Sequence, residues 1–413
     1  MTDITILGND TSEIQKIKDK IASGTLSEKD KAYYERIIRV LDMPNLSTIP
    51  GNPVNMVIEN VVNAPFFQSF DHIQTPEVVN ERETFDIFNF PETHVARRPS
   101  DSYFLHKSDV KKESLLLRPH TSVMRYYYLI EGKAKEILEK TGEVKALSRG
   151  KVYRVDELDK SHHECFHQID GLRITTKDKE IINQDTLKEV LGNTIKALFG
   201  EQVQYRFNID QFPYTTDSLE VEVEYEGNRI EVTGAGVVHP NVLEYLGIDS
   251  TKYNGWAFGF GIERLAMALK HIPDIRIFRS NDPRITKQRG NLDPYKEVSV
   301  FPPVFKDISF LIDKTKFIKD EEEMKKSGKI ELINEADSFE IAGIARDVSG
   351  GLIEEVRVID IFENDAKFGP DKKSVCVRIT FRSLERTLTN EEINVAYFQI
   401  REKMEGQLGF ELR

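Results

Sequence analysis

The sequence is poor in cysteine and contains no long apolar run. Its 413 residues include two cysteines, Cys165 and Cys376, which stand far apart. Two distant thiols do not make the framework of a disulfide-stapled domain, and they fit a reducing compartment. No stretch approaches the roughly 20 apolar residues of a transmembrane helix. The first residues, "MTDITILGND", resemble neither a secretory leader nor an Arg-rich presequence. We therefore expect a soluble intracellular protein.

Positive charge is also in deficit. Lysine and arginine number 57 against 69 acidic residues, which gives a net charge of −12. Non-specific affinity for nucleic acid comes mainly from neutralising phosphates. The balance therefore argues against a general DNA-coating protein, although a local basic patch remains compatible with RNA binding.

The chain is long enough for two or three domains, and 39% of its residues are apolar. Residues 1–48 are polar with a helical pattern, in which Tyr33, Ile37 and Leu41 recur at helical spacing. We interpret them as an extension that docks on the rest. In residues 49–284 hairpin patterns outnumber regular strand–helix alternation. This predicts an α+β domain with an antiparallel sheet flanked by helices.

The remaining residues show a second pattern. Residues 285–298, "ITKQRGNLDPYKEV", are polar and rich in turn formers, which predicts a linker. Residues 299–413 are predicted to fold as strand, helix, strand, strand, helix, strand, which is the ferredoxin-like βαββαβ order. Thr389 and Glu392 are spaced as a capping box at the start of the last helix.

One stretch brings together residues suited to binding a zwitterion beside a nucleotide. In "GKVYRVDELDKSHHECFHQIDG" (150–171), alternation along two predicted strands places Arg154 with Asp156, and Phe166 with Gln168 and Asp170. A guanidinium suits phosphate or carboxylate, an aromatic plane suits a base, and a carboxylate with an amide suits an ammonium group. An ordinary polar sheet face has the same periodicity, and periodicity alone favours that simpler interpretation.

The same stretch contains His162, His163, Cys165 and His167, which invites a zinc interpretation. These residues are crowded together, and no second pair stands at a familiar zinc spacing. Alternation also directs His163, Cys165 and His167 away from Phe166. We predict structural or phosphate-contacting histidines instead.

A second stretch, "AFGFGIERLAMAL", predicts a buried strand that runs into a helix. Its glycines allow a flat ligand or a backbone to approach, but neither the P-loop nor the dinucleotide-binding pattern is present. Arg264 falls in the first helical turn, where the helix dipole disfavours a cation unless an anion also binds. A triphosphate would satisfy this position, and so would a surface ion pair with Glu263 or another acid.

A third stretch, "RPHTSVMRYYYL", places His120 and Ser122 where a strand meets a helix. This signal is weak alone, because Ser122 with Arg125 also fits an ordinary helix start.

Taken together, the stretches resemble a known family. The first resembles motif 2 of the class II aminoacyl-tRNA synthetases, "GWAFGFGIERLAM" resembles motif 3, and "FFQSFDHIQTPEV" resembles motif 1. "FNFPETHVARRPSDSYFL", "FHQIDG", "QFPYTTDS" and "GAGVVHP" are similar to phenylalanyl-tRNA synthetases in particular. Residues 299–413 resemble that family's anticodon-binding domain. The resemblance covers roughly residues 50–413, and the direct joining of the two domains resembles the single-chain, mitochondrial type.

The resemblance implies an activity. A synthetase of this family activates phenylalanine with ATP and Mg²⁺, and then transfers it to the terminal ribose of tRNA(Phe). It also implies a monomer without a second subunit and without a membrane partner. The location would be the cytoplasm, or the mitochondrial matrix if a presequence has been removed. The alternatives are a paralogue that only binds tRNA and an enzyme for another amino acid, such as a hydroxylated aromatic one.

The resemblance also implies roles for individual residues. Catalysis would rest on Arg154, Arg264 and His162. ATP would contact Arg154, Asp156, Ser161, His162, His163, Phe166, Glu231, Phe258 and Arg264, and Glu231 would also serve Mg²⁺. The amino acid would contact Phe104, His120, Ser122, Arg125, Gln168, Asp170, Phe212, Tyr214, Thr215 and Ala257. Predicted tRNA contacts are Lys372, Lys373, Arg378, Arg382 and Arg386, each of which also fits a plain solvated face.

The chain departs from the family pattern at the amino-acid pocket. Asp170 stands where the family usually has Glu, Arg125 where many members have Gln, and Tyr214 where "FPF" is usual. The Tyr214 hydroxyl can pair with a hydroxyl on a substrate. Because an apolar pocket rejects an added hydroxyl only about 100-fold, we hypothesise that tyrosine is discriminated less well here than in an all-phenylalanine pocket.

Overall fold

The computed structural model describes residues 4–7, 11–108, 110, 113–155, 159–225, 228–297, 301–314, 335–383 and 385–413. The strands are β1 (Ile4–Ile6), β2 (Asp71–Gln74), β3 (Val78–Asn80), β4 (Phe104–His106), β5 (Leu115–Leu117), β6 (Glu143–Tyr153), β7 (Cys165–Thr176), β8 (Gln204–Ile209), β9 (Thr215–Tyr225), β10 (Asn228–Val238), β11 (Tyr253–Gly261), β12 (Val304–Asp313), β13 (Ile353–Phe362), β14 (Lys372–Phe381) and β15 (Glu411–Leu412). The α-helices are α1 (Thr11–Ala22), α2 (Glu28–Leu41), α3 (Pro53–Val62), α4 (Glu81–Thr84), α5 (Met124–Tyr126), α6 (Ala134–Thr141), α7 (Gln184–Phe199), α8 (Pro240–Tyr245), α9 (Ile262–Lys270), α10 (Pro283–Thr286), α11 (Glu335–Ser349), α12 (Asp365–Phe368) and α13 (Asn390–Leu408).

The largest sheet has eight strands in the order β1-β2-β6-β7-β11-β10-β9-β8. β1 pairs with β2, and β2 with β6, in parallel; the other neighbours are antiparallel. The predicted antiparallel sheet flanked by helices is therefore confirmed. In the register of β7 with β11, Gln168 lies opposite Gly261, so α9 begins beside the middle of the site.

Alternation of side chains determines which face of this sheet is buried. Leu219, Val221 and Val223 on β9 are fully buried, while the intervening residues are polar. They pack in one cluster with an apolar stripe of α7 that includes Leu187 and Leu191. Residues 226 and 227, between β9 and β10, lie outside the described residues.

The C-terminal part has the predicted ferredoxin-like order β12-α11-β13-β14-α13-β15. Its strands lie in the order β13-β14-β12-β15, all antiparallel. The capping box is present: the Thr389 hydroxyl accepts from the Glu392 amide at 3.2 Å, and the Glu392 carboxylate accepts from the Thr389 amide at 3.1 Å. Phe310 and Phe410 stack in the core, with ring centroids 4.5 Å apart.

Helix α2 contacts both parts of the chain. Its apolar face buries Ile37 and Leu41 in a cluster that also holds residues of β4, β5 and β7. Its other face carries Arg39, which binds the Glu164 carboxylate at 2.5 Å. Arg346 of α11 binds the same carboxylate at 2.9 Å. Although burial opposes ionisation, Arg346 and Arg39 lower the pKa of Glu164 to about 2.

The predicted linker forms hydrogen bonds with the larger part of the chain. After α10, the Gly290 amide donates to the Gly51 carbonyl at 2.7 Å, and the Tyr295 amide donates to the Lys270 carbonyl at 2.7 Å. The boundaries at 48, 284 and 298 stay predictions. Among the described residues, no helix is both long and apolar enough to cross a membrane.

Candidate functional site

The stretches that the sequence singles out converge on a cavity of about 620 Å³. Its floor is the face of the large sheet formed by β7, β10 and β11, and its rim includes the start of α9. A volume of this size falls in the range typical of small-molecule sites. Cations and polar groups cluster at one end, and aromatic rings line the other.

At the polar end, two arginines meet an aromatic ring and a histidine. The Arg154 guanidinium lies 5.2 Å from the centre of the Phe166 ring, and its Nε donates to the Pro119 carbonyl at 3.0 Å. Arg264 projects from the first turn of α9 and donates from Nη2 to His162 Nε2 at 3.0 Å. This arrangement presents guanidinium groups and a ring face to one ligand, as a nucleotide requires.

The hydrogen bonds fix the tautomer of His162. Because an arginine can only donate, Nε2 of His162 accepts from Arg264 and carries no proton. Nδ1 therefore bears the proton and donates to Asp159 at 2.6 Å. Asp159 also accepts from the Ser161 amide. Although burial opposes ionisation, the bonds from His162 and Ser161 hold the pKa of Asp159 well below its ordinary value.

Two carboxylates stand on the cavity wall beside Arg264. Glu231 lies 3.6 Å from Arg264 Nη1. Burial and the neighbouring Glu231 and Asp210 carboxylates raise the pKa of Glu220 to about 7. Mg²⁺ is commonly held by one or two carboxylates together with substrate phosphates, and carboxylates that repel one another accommodate a cation. Glu231 and Glu220 therefore fit a magnesium ion that is bound largely through a triphosphate.

At the other end, the cavity wall contains a buried carboxylate and a buried guanidinium. Asp170 accepts from the Ser122 hydroxyl through Oδ2, while its Oδ1 has no partner among the described residues. Arg125 is 3% exposed, and its Nε and Nη1 likewise have no partner in the described part of the chain. Nδ1 of His120 is a fourth such atom. Buried polar atoms without partners cost about 1–3 kcal/mol each, so a group of them in a cavity wall is suited to a polar ligand.

Burial shifts the titration of these groups. It lowers the pKa of Arg125 to about 10 and raises the pKa of Asp170 above its ordinary value, although Ser122 and Arg125 oppose the second shift. Burial, with Arg154 and Arg125, lowers the pKa of His120 to about 3. His120 is therefore neutral near pH 7. Its Nε2 lies 3.1 Å from the Thr84 carbonyl, to which it can only donate, so Nδ1 is left as an acceptor.

The aromatic end of the cavity is built from two stretches. Phe212 and Tyr214 lie parallel, with ring centroids 5.5 Å apart. Phe90 packs on Tyr214 at 5.5 Å, and Phe88 lies under the Arg125 guanidinium at 4.9 Å. Together these rings form an apolar slot next to Asp170, which suits the side chain of an aromatic amino acid.

The structure brings nearly all of the predicted ATP and amino-acid contacts to this cavity. Those that line it are Arg154, Ser161, His162, His163, Phe166, Glu231, Phe258, Arg264, His120, Ser122, Arg125, Gln168, Asp170, Phe212, Tyr214, Thr215 and Ala257. Phe104 is not in the wall; it is buried in an apolar cluster with Val79, Phe85 and Leu116. Asp156 lies outside the described residues.

Sequence reasoning missed two residues of the site. The first is Asp159, which orients His162. The sequence pattern that could have indicated it is an aspartate three residues before a histidine in a loop, because at this spacing an aspartate accepts hydrogen bonds from nearby backbone amides. Glu220 has no local signal, because β9 and β10 must pair before Glu220 comes close to Glu231. The histidines of this stretch have separate structural partners, and among the described residues no group of three metal-binding side chains occurs.

The five predicted tRNA contacts lie on or next to β14, and each has an acidic partner. Lys372 pairs with Glu411 at 2.9 Å, and Lys373 with Glu363 at 3.3 Å. Arg378 binds Asp307 through two bonds of 2.8 Å. The remaining pairs are Arg382 with Glu354 at 2.6 Å, and Arg386 with Glu392 at 2.7 Å. The acidic partners therefore partly neutralise the charge of these lysines and arginines.

Comparison with known proteins agrees with this geometry. Residues 40–289, more than half of the chain, match the model of the tRNA synthetases class II core domain (F), and residues 299–413 match the ferredoxin-fold anticodon binding domain. The mitochondrial phenylalanine–tRNA ligase of Dictyostelium discoideum is 32% identical, over 84% of this chain and 80% of that protein. The chain belongs to the phenylalanine–tRNA ligase family of class II synthetases.

Two further relatives extend this result. The chloroplastic/mitochondrial phenylalanine–tRNA ligase of Arabidopsis thaliana is 34% identical, over 84% of this chain and 73% of its own length. The mitochondrial phenylalanine–tRNA ligase of Saccharomyces cerevisiae is 28% identical, over 97% and 95%. The class II core and the ferredoxin-fold domain are therefore joined in one chain of this synthetase family, as the sequence motifs predicted.

Proposed function

We propose that this chain is a phenylalanine–tRNA ligase that activates phenylalanine with ATP and transfers it to tRNA(Phe). The observation that carries the proposal is the union of two half-sites in one cavity. Arg154, Phe166 and Arg264 form an anion- and base-binding end, and a buried acid with an open oxygen, Asp170, adjoins an aromatic slot. An amino acid and a nucleotide can therefore bind side by side.

Different residues of the cavity bind the amino acid and the ATP. Oδ1 of Asp170 and Nδ1 of His120, which have no partners among the described residues, accept from the substrate ammonium group. Phe212 and Tyr214 pack on its ring. Arg154 binds the carboxylate and the α-phosphate. Arg264 binds the outer phosphates, and His162 orients the Arg264 guanidinium through Nε2. Glu231 and Glu220 would hold a magnesium ion, which would supply positive charge to the triphosphate.

The reaction then proceeds by two displacements. A carboxylate oxygen of phenylalanine attacks the α-phosphorus, the bond to the bridging oxygen breaks, and pyrophosphate leaves. A terminal ribose hydroxyl of the tRNA next attacks the acyl carbon and releases AMP. No side chain forms a covalent intermediate, so catalysis comes from positioning and from stabilising negative charge at phosphorus.

The proposal also covers the tRNA contact, the location and the oligomeric state of the chain. The C-terminal domain contacts the tRNA, and the mitochondrial names of the relatives favour the mitochondrial matrix over the cytoplasm. We further propose that the chain acts as a monomer without a second type of subunit. Sedimentation at micromolar concentration tests the oligomeric state.

The experiment that tests the function is ATP–pyrophosphate exchange with each of the twenty amino acids, without tRNA. We expect exchange with phenylalanine above all others. Comparable exchange with tyrosine would mean that Tyr214 and Asp170 have changed the specificity. Exchange with none would reject the proposal in favour of a paralogue that only binds tRNA, and filter binding of tRNA(Phe) would then identify it.

A further inference from the structure

Where β7 meets the first turn of α9, two ionisable side chains form a buried pair, of which Glu263 contributes to the cavity wall and His167 does not. Nδ1 of His167 lies 2.6 Å from Oε1 of Glu263, and the His167 amide donates to Oε2 of the same carboxylate at 2.8 Å. The His167 side chain is fully buried, and that of Glu263 is 4% exposed. The pair joins β7 to the first turn of α9.

A third hydrogen bond shows which ring nitrogen of His167 carries the proton. The backbone amide of Leu46 donates to Nε2 of His167 at 3.0 Å. Nε2 therefore carries no proton, and Nδ1 bears it and donates to Glu263. His167 is thus neutral, and its two nitrogens hold different partners. Nδ1 holds Glu263, and Nε2 holds the segment around Leu46.

The sequence neighbours of this pair are the residues proposed to enclose ATP. His167 stands between Phe166 and Gln168 on β7, and Glu263 immediately precedes Arg264 on α9. The N-cap residue of α9, Gly261, makes no side-chain cap bond. The Glu263 side chain ties this uncapped first turn to β7 through its two bonds with His167.

We propose that His167 and Glu263 are positioning residues that set the separation between the Phe166 ring and the Arg264 guanidinium, and thereby the affinity for ATP. Their role is to hold β7 against the first turn of α9, because the Glu263 carboxylate is occupied by His167. The inference rests on the proposed function, since it requires that Phe166 and Arg264 bind ATP.

Two substitutions at one position separate the two side-chain bonds of His167, while the bond from its backbone amide to Glu263 is kept in both variants. The amide nitrogen of an asparagine reaches the place of Nδ1, whereas the amide of a glutamine reaches the place of Nε2. His167→Asn therefore keeps the bond to Glu263 and loses the bond to Leu46. His167→Gln does the reverse. The two variants are matched controls, because both remove a buried imidazole.

The measurement is the KM for ATP and the KM for phenylalanine in pyrophosphate exchange. The fraction of active molecules is determined separately, from the amount of adenylate formed in a single turnover. Because His167→Gln loses a hydrogen bond to a charged group, we expect it to raise the KM for ATP about tenfold or more. The KM for phenylalanine changes much less. His167→Asn is expected to lower the melting temperature and to raise the KM for ATP at most about twofold.

A purely structural pair gives a different result. In that case both variants lose stability and active fraction together, and the KM for ATP of the active molecules is the same as in the parent. Equal KM values for ATP in the two variants, raised or not, would overturn the inference. If His167→Gln does not yield folded protein, Glu263→Asp replaces it, because that change keeps the charge but shortens its reach to Nδ1; the same rise is expected.

Arg264→Gln and Phe166→Leu distinguish failure of the inference from failure of the proposed function. If both leave the KM for ATP unchanged, the assignment of the ATP site is wrong and the inference falls with it. If both raise that KM while His167→Gln and Glu263→Asp do not, the ATP site stands and only the positioning role is rejected.

Discussion

In the cavity, Arg125 and Asp170 are buried and keep polar atoms without partners among the described residues, whereas on the C-terminal domain Lys372 and Arg378 are partly exposed and already hold an acid. The first arrangement is costly unless a ligand completes it, because each unpaired buried group loses about 1–3 kcal/mol. The second is nearly neutral, because exposed ion pairs contribute about 0–1 kcal/mol.

The contrast leads to different expectations for the two regions under the proposed function. The cavity is preorganised, so we expect single residues there to carry large effects. A tRNA bound to the C-terminal face would exchange internal ion pairs for phosphate contacts, so we expect each residue to contribute little and salt to weaken binding. The following experiments test this contrast, beginning with the largest expected effect.

Arg154→Ala tests the polar end of the cavity. Removing one preorganised donor at a charged transition state costs on the order of 100- to 1000-fold in rate, and we expect a loss of that size in kcat/KM for pyrophosphate exchange. Arg149→Ala is the matched control, because Arg149 pairs with Glu59 and does not line this cavity. Similar losses in both variants would reject a specific role for Arg154.

Asp170→Asn tests the amino-acid end. Loss of the charge that accepts from the ammonium group should raise the KM for phenylalanine roughly 10- to 100-fold, given about 1.5–3 kcal/mol for a charged hydrogen bond. The KM for ATP should change little, since Asp170 lies away from the Phe166 and Arg264 pair. A rise in the KM for ATP alone would contradict the assignment.

Glu164→Gln tests the ion pairs that connect Glu164 with α2 and with α11 of the C-terminal domain. Its pKa is lowered to about 2 in the folded protein, so its contribution to stability is complete above its ordinary pKa of 4.5 and is lost as the pH falls towards 2. Glu164→Gln should therefore lower the melting temperature by several degrees at pH 7, and the difference from the parent should shrink by pH 3. A difference that does not depend on pH would show that the charge is irrelevant.

Tyr214→Phe tests the slot. If the Tyr214 hydroxyl helps to admit a hydroxylated ring, its removal should improve selectivity for phenylalanine over tyrosine several-fold, up to the roughly 100-fold that an apolar pocket provides. Exchange rates with both amino acids measure the ratio. An unchanged ratio would reject the hypothesis, and a changed KM for phenylalanine alone would indicate a packing role.

The smallest effects are expected on the C-terminal face. Arg386 is exposed and pairs with Glu392, so Arg386→Ala should raise the KM for tRNA about twofold, as loss of one weak surface contact does. Glu392→Gln should lower that KM slightly at low salt, because it frees Arg386 for phosphate. A tenfold effect from Arg386→Ala would mean that the paired face is rearranged on binding.

Much of the fold was predictable because its signals are local. Period-two alternation placed Phe166, Gln168 and Asp170 on one face of β7, and the structure puts all three in the cavity wall. The capping box of α13 needs only four consecutive residues, Thr389 to Glu392. Family resemblance contributed most of the roles, since alternation alone equally fitted an ordinary polar face.

Other features were decided by the tertiary structure. Arg264 was open to two interpretations, a phosphate ligand or a surface ion pair. The folded chain supplies His162 from a loop and Glu231 from β10 as its neighbours. Phe104 is buried in an apolar cluster rather than in the cavity wall, and this depends on how β4 packs and not on its local sequence.

The sequence by itself therefore determined the two domain folds and the strand face that carries the site, because side-chain periodicity and capping act over a few residues. The tertiary structure decided which charges are paired and which are left open. Arg382 meets Glu354, and His167 meets Glu263, across separate elements of the chain. Electrostatic pairing depends on distance in space, and no local pattern records that distance.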